Sequence, residues 1–214
     1  MKHKKVLFRV KKFVKVLVGD WETSGLPPDE PRFDEGPQGI QMGFCVVEDP
    51  YEKWEIVDEF RADVQWLGPT QTTQGLHPAL VWSAEAERIH GITQASLKTK
   101  PHPQMIAQGL VPMLKRHWPG EKIILGGHNP GFDMYFTKQF LWFAGATREV
   151  RLDHRMLDSS TLGFFTLGIS NSDDLFLATS GQRRGKHDAL EDARLTVGAF
   201  RELTRHLRPV FPLD

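Results

Sequence analysis

Residues 16–25 read VLVGDWETSG, and they decide how the rest of the chain is read. A Val-rich run ends in two acids at alternate positions. Strand geometry sends the carboxylates of Asp20 and Glu22 to one face and Trp21 to the other. Two hard oxygen donors side by side at a strand end suit magnesium or manganese, although an acid-x-acid pair is also an ordinary solvated strand end. Working outward, residues 13–20 (FVKVLVGD) form the body of this strand. Residues 39–48 (GIQMGFCVVE) and 54–64 (WEIVDEFRADV) predict two more, separated by turn residues. The stretch 25–38, dense in Pro, Gly and charge, is a loop, and a second long loop covers 65–82. Helical patterning begins near residue 84 and returns over 103–117, where Met105, Ile106, Leu110, Met113 and Leu114 form an apolar stripe. Residues 121–127 (EKIILGG) predict a buried strand, 132–144 an aromatic-rich helix, and 189–207 a closing helix striped by Leu190, Ala193, Val197, Phe200 and Leu203. Strands first, then helices around further short strands, predict an α/β fold with a mixed central sheet flanked by helices. We expect one domain over residues 1–214 with its core at about 13–207.

Composition narrows the function. Lys plus Arg and Asp plus Glu balance at 27 each, which excludes a protein that grips polyanions through bulk charge and makes any nucleic-acid contact local. The single cysteine, Cys45, excludes an internal disulfide and a cysteine-based metal cluster. No window approaches the roughly 18–20 consecutive apolar residues of a membrane span. Lys11, Lys12 and Lys15 interrupt the only stretch that could serve as a signal-peptide core, so the chain reads as cytoplasmic. The seven charges of the first fifteen residues are all positive, as in a solvated edge strand or tail, or a patch touching phosphates.

Two further clusters place acids at element boundaries. In GGHNPGFD, residues 126–133, a strand ends in glycines, Asn129 is a candidate helix cap, Pro130 suits the first helical position, and Asp133 falls in the first turn. In GKHDALEDA, residues 185–193, Asp188 and Glu191 form a capping-box pattern that starts a helix. His187 and Asp192 on one continuous helix would point about 140° apart. A cap at Asp188 releases His187 from the helical screw, so it can reach a site that Asp192 faces.

Taken in order, D-x-E, H-N-x-x-F-D and H-x-A-x-x-D-A resemble the DEDDh class of 3′–5′ exonucleases, the DnaQ-like family with an RNase H-like fold. The resemblance spans about residues 14–204 and includes D-x-E-T-x-G-L at 20–26, I-H-G-I-T at 89–93 and L-D-S at 157–159. It implies that Asp20, Glu22, Asp133 and Asp192 are the metal-binding carboxylates and His187 the general base. Thr23, Leu26, His90 and Phe132 match positions near the terminal nucleotide, and His128 and Asn129 are motif positions beside them. Trp21, Pro130 with Gly131, and the long loop after Leu26 depart from the commonest pattern, and none of them removes a catalytic group.

The implied chemistry fits the residue types. Two Mg2+ or Mn2+ ions would generate the nucleophile and stabilise the poor alkoxide leaving group of a phosphodiester. Histidine, with a reference pKa of about 6.5, suits proton removal near neutrality. The implied partner is the 3′ end of single-stranded DNA or RNA, with a polymerase or a second copy of the chain as candidate protein partners and no membrane. A catalytically silent nucleic-acid-binding or polymerase-associated scaffold with the same fold is the alternative. His187-Asp188 also resembles HD-type phosphohydrolases, whose all-helical fold does not begin with strands. None of the nine histidines forms an H-E-x-x-H pair.

Overall fold

The computed structural model describes residues 15–29, 32–69 and 75–207. The basic strand or tail predicted over residues 1–12 lies outside them. In chain order the elements are β1 (Lys15–Thr23), β2 (Gly39–Glu48), β3 (Glu55–Asp63), α1 (Ala84–His90), α2 (Gln94–Leu97), α3 (Pro103–His117), β4 (Ile123–Gly127), α4 (Pro130–Phe143), β5 (Leu152–Asp158), α5 (Ser159–Leu167), α6 (Ser172–Ser180) and α7 (Ala189–Leu207). They build one five-stranded sheet in the order β3-β2-β1-β4-β5. The β3–β2–β1 half is antiparallel, and β4 and β5 add as parallel strands, which gives the predicted mixed α/β architecture.

The parity of β1 sorts the molecule into two layers. Leu17 and Trp21 face α3 and α4, in a core with Met42, Phe44, Leu110, Leu114, Phe136 and Phe140. Val16 and Val18 face α7, packing with Cys45, Val47, Ala193, Val197 and Phe200. Both faces of β2 are therefore covered, and its residues are buried from Gly39 to Val47. Phe200 stacks on Trp54 at 4.8 Å, fastening α7 to the loop before β3. Each such large apolar side chain contributes about 1.5–3 kcal/mol on burial. By the same parity Asp20 and Glu22 lie on the α7 side. Trp21, bulky for its motif position, fills the opposite core and donates Nε1–H to Thr137 Oγ1 at 3.0 Å.

Several boundaries differ from expectation. β1 runs on to Thr23, because Glu22 and Thr23 continue to pair with β2. β4 starts at Ile123 rather than at residue 121, and α4 starts at Pro130 rather than 132, with proline in its first turn. The two long loops are tied to each other, Gly36 N–H donating to Ala79 O and Val81 N–H to Gly36 O.

The seat of α7 fixes the site. Gly43 of β2 is paired with Asp20 of β1, and a Cβ placed on it would stand 2.2 Å from Leu190 N and 2.3 Å from the Ala189 carbonyl carbon. Gln41 Oε1 accepts the Ala189 N–H at 2.9 Å. Only a residue without a side chain lets the first turn of α7 touch the sheet here. Gly43→Ala is expected to cost about 1–3 kcal/mol in urea unfolding, because backbone and not a flexible side chain must yield. Gly198→Ala, at a position on α7 with open space around it, should cost far less.

Candidate active site

β1 and β4 pair only at Leu17–Leu125 and Val18–Gly126 and then diverge. Open α/β sheets place ligands in a crevice of this kind, beyond the carboxyl ends of parallel strands. Past the divergence, the Trp21 N–H donates to Asp133 Oδ1 at 3.1 Å. This bond holds the first turn of α4 against the end of β1. Asp133 is buried, Asp20 is half-buried at the strand end, and Glu22 is buried beyond it.

From the other layer α7 brings Asp192, which is 1% exposed. Glu22, His187 and Asp192 each offer a ligand atom within 4.8 Å of the others. His187 stands before the first residue of α7, free of the helical screw as predicted, with Nδ1 3.7 Å from Glu22 Oε1 and 3.8 Å from Asp192 Oδ2. Asp188 Oδ1 accepts the N–H groups of Leu190 and Glu191 and starts the helix. The reciprocal half of the expected capping box is not formed. Glu191 pairs instead with Arg194.

Converging carboxylates raise one another's pKa. Burial first, then the charge of Asp192, pushes Glu22 up to about 7. Burial also lifts Asp192 to about 6. Asp20 is raised by burial and by Asp133, Glu22 and Asp192, and Asp133 is raised chiefly by burial. His187 is shifted the other way, by burial and the neighbouring Arg184 cation. Among the described residues, Glu22 Oε1 and both Asp192 carboxylate oxygens are buried without a hydrogen-bond partner. Buried, unsatisfied hard oxygens of like charge are a donor set that fits a divalent cation.

The residues matched to nucleotide contacts sit around this cluster in different states. Leu26 is 82% exposed and stands on the rim. Thr23 is buried, its hydroxyl donating to Gly25 O at 2.8 Å. His90 is buried, accepting the Ile92 N–H at Nδ1 and donating from Nε2 to Thr23 O at 3.2 Å, so the ring braces α1 against β1. Phe132 is half-buried beside Phe136. His128 Nδ1 lies 3.1 Å from Ser159 Oγ. Asn129 is a correction: it precedes α4 but does not cap it through its side chain. Its backbone is left-handed (φ 60°, ψ 57°), which Asn tolerates better than most residues, and its N–H donates to Asp158 Oδ1.

Sequence reasoning missed Arg184 and Phe176. The guanidinium lies 5.4 Å from the Phe176 ring centre, and Nε is 3.2 Å from Asp192 Oδ1. The only sequence signal is the basic run Arg183-Arg184-Gly185-Lys186-His187, which does not say which cation turns inward.

The sequence matches the RNase T family, described as an exonuclease, over residues 76–200. No curated protein matches it. The fold is similar to E. coli exonuclease I in complex with a dT13 oligonucleotide, at 16% identity and a TM-score of 0.62, over 92% of this chain and 42% of that one. It is also similar to a 3′-exonuclease in 3′-end-specific recognition of a histone mRNA stem-loop, at 15% identity and a TM-score of 0.59, over 90% of this chain and 65% of that one. Exonuclease X in complex with 5′ overhanging duplex DNA matches at 17% identity and a TM-score of 0.55, over 93% of this chain and 94% of that one. The chain thus spans less than half the length of the exonuclease I it matches. At these identities the likeness concerns the fold. The family match begins downstream of β1, so Asp20 and Glu22 lie outside it.

Carboxyls whose folded-state pKa is raised stabilise the fold while protonated, and that stability is lost as pH climbs through the folded value. In EDTA, the melting temperature should therefore fall between about pH 5 and 7.5, the window set by Glu22 at about 7 and Asp192 at about 6. Mg2+ or Mn2+ should flatten the fall, and Glu22→Gln should reduce it without metal. A melting temperature independent of pH and metal over that window would contradict the assignment.

Proposed function

Because the chain belongs to the RNase T exonuclease family, we propose that it is a divalent-metal-dependent 3′–5′ exonuclease that removes nucleoside 5′-monophosphates from the ends of single-stranded DNA or RNA. The observation that carries this reading is the meeting of Glu22, His187 and Asp192 within 4.8 Å, where Asp20 and Asp133 also feel one another's charge. On this reading Asp20, Glu22, Asp133 and Asp192 hold two Mg2+ or Mn2+ ions. Bound there, the ions supply Lewis-acid activation of water and charge stabilisation of the leaving oxygen.

The chain's own groups account for the remaining needs. Burial and the Arg184 cation lower the pKa of His187, which favours the neutral ring that a general base requires. It sits on a short approach to α7 rather than within the helix, which gives the ring room to turn between Glu22 and Asp192. The Trp21–Asp133 bond fixes one carboxylate, and the Gly43 contact fixes the helix that carries another. Leu26, 82% exposed beside the β1 end, supplies an apolar surface for the terminal base. Apolar and aromatic contacts of that kind tolerate any base, which suits an enzyme that trims ends irrespective of sequence. The near-neutral chain needs to hold only a few nucleotides.

The test is degradation of 5′-labelled single-stranded DNA and RNA oligonucleotides with Mg2+ or Mn2+. The native protein should give a ladder shortening from the 3′ end, and EDTA should abolish it. Asp20→Ala should reduce the rate to background, and His187→Ala should slow it by about 10²- to 10⁴-fold, the usual contribution of a general base. No shortening of either polymer, together with no Mn2+ binding, would overturn the proposal in favour of a silent binding scaffold.

A further inference from the structure

Arg184 is the inward-facing cation of the site. Its side chain is 12% exposed, and Nε lies 3.2 Å from Asp192 Oδ1 and 3.8 Å from Asp173 Oδ1. The Asp192 contact is an ion pair without hydrogen-bond alignment, since both Nε and Oδ1 lack a hydrogen-bond partner among the described residues. Nη1 lies 3.1 Å from His187 Nδ1 and 3.2 Å from Nε2. Nη1 is thus about equally far from two ring nitrogens whose lone pairs point apart, so the guanidinium lies against the imidazole ring rather than on either lone pair. Phe176, itself 1% exposed, holds the guanidinium against its ring at 5.4 Å, a position that survives if the contacts to Asp192 and His187 are released.

We propose that Arg184 is a phosphate-binding residue of the active site, which exchanges Asp192 and His187 for the scissile phosphodiester at the 3′ end of the nucleic acid when divalent ions occupy the carboxylates. The inference rests on the exonuclease reading of the same site. Two dications would cancel the charge of Asp20, Glu22, Asp133 and Asp192, and the ion pair that holds Arg184 on Asp192 would then have to yield. Asp173 is a weak competitor, 73% exposed and 3.8 Å away. The next anion to enter is the phosphodiester, whose paired oxygens match the planar fork of a guanidinium. The exchange takes the guanidinium off the His187 ring at the moment substrate arrives. Neighbouring Arg183 and Lys186 extend the basic run along the same exposed loop.

Thymidine 5′-monophosphate and thymidine are the probes, titrated with Mg2+ present into the native protein, Arg184→Gln and Arg184→Lys. The glutamine variant should bind the monophosphate about 10- to 100-fold more weakly, the usual effect of losing a charge-assisted bond. Its thymidine binding should change less than about twofold, and its Mn2+ affinity, read by electron paramagnetic resonance, should be no weaker than native. Arg184→Lys keeps the charge without the fork and should fall between the two, which carries the test if the glutamine variant fails to fold. Unchanged monophosphate binding would overturn the proposal, as would equal losses for monophosphate and thymidine or a loss of Mn2+ affinity, each of which marks a structural brace. A native protein that binds the monophosphate yet never shortens an oligonucleotide would refute the exonuclease reading and leave the Arg184 assignment to the variants.

Discussion

Four carboxyl groups brought to one point repel one another, and the architecture around them works against that repulsion. Glu22 and Asp192 are buried with oxygens that no hydrogen bond from the described residues satisfies. The cost shows in their raised pKa values, since burial and like charge both favour the neutral acid. A fold carrying such a cluster must overdetermine it by packing, and must offer it positive charge. Divalent ions supply the charge on the reading proposed above. Without them the guanidinium of Arg184 is the cation placed to do so, and it lowers the pKa of Asp20, Glu22 and Asp192 alike.

The packing that holds the cluster lies largely in the layers behind it. Trp21 faces away from the acids but is wedged between Phe44 and Phe140 and bonded to Thr137, so β1 cannot roll. Its N–H, left without a β4 partner where the strands diverge, ties Asp133 down. On the α7 side, Gly43 and Gln41 seat the first turn, while Phe200 on Trp54 anchors the helix body several turns away. A carboxylate is thus positioned by the strand, helix start or helix face that carries it, and each of these is fixed by apolar contacts of its own.

This division explains what the sequence discloses. The period of two in β1 is enough to put Asp20 and Glu22 together, and the helical stripes of 103–117 and 189–207 return as α3 and α7 with the same limits. α5 is harder to read, because Leu162, Phe164, Phe165 and Leu167 surround it and two of them, Phe164 and Phe165, are well exposed. β5 is an edge strand with one buried residue, Asp153, so it carries no alternation of apolar and polar positions. The left-handed backbone of Asn129 is a conformation that asparagine tolerates, but nothing in the local sequence calls for it. Its N–H is met by the Asp158 carboxylate, 29 residues away. Arg184 is hidden for a similar reason: only tertiary structure shows which of several cations in one loop finds Phe176 beneath it.

The rim of the site is chemically divided, and on the proposed reading the division suits a strand of nucleic acid seen edge-on. On the β1 side stand apolar residues: Leu26, then Val81, whose carbonyl accepts the Ser24 hydroxyl, and Ile89, next to the His90 that braces Thr23. All three are large and substantially exposed, at 82%, 54% and 46%. On the α7 side runs the basic loop of Arg183, Arg184 and Lys186, and the end of the Lys186 side chain lies beside Gly91, where the two rims meet. Bases need an apolar face and phosphates need cations, and the two line opposite edges of a single strand. A scaffold that merely grips nucleic acid has use for both rims but none for buried acids at the floor, which repel the phosphates the basic rim attracts. On the proposed reading, cations held on the floor relieve that conflict, and the divided rim and the acidic floor then serve one reaction.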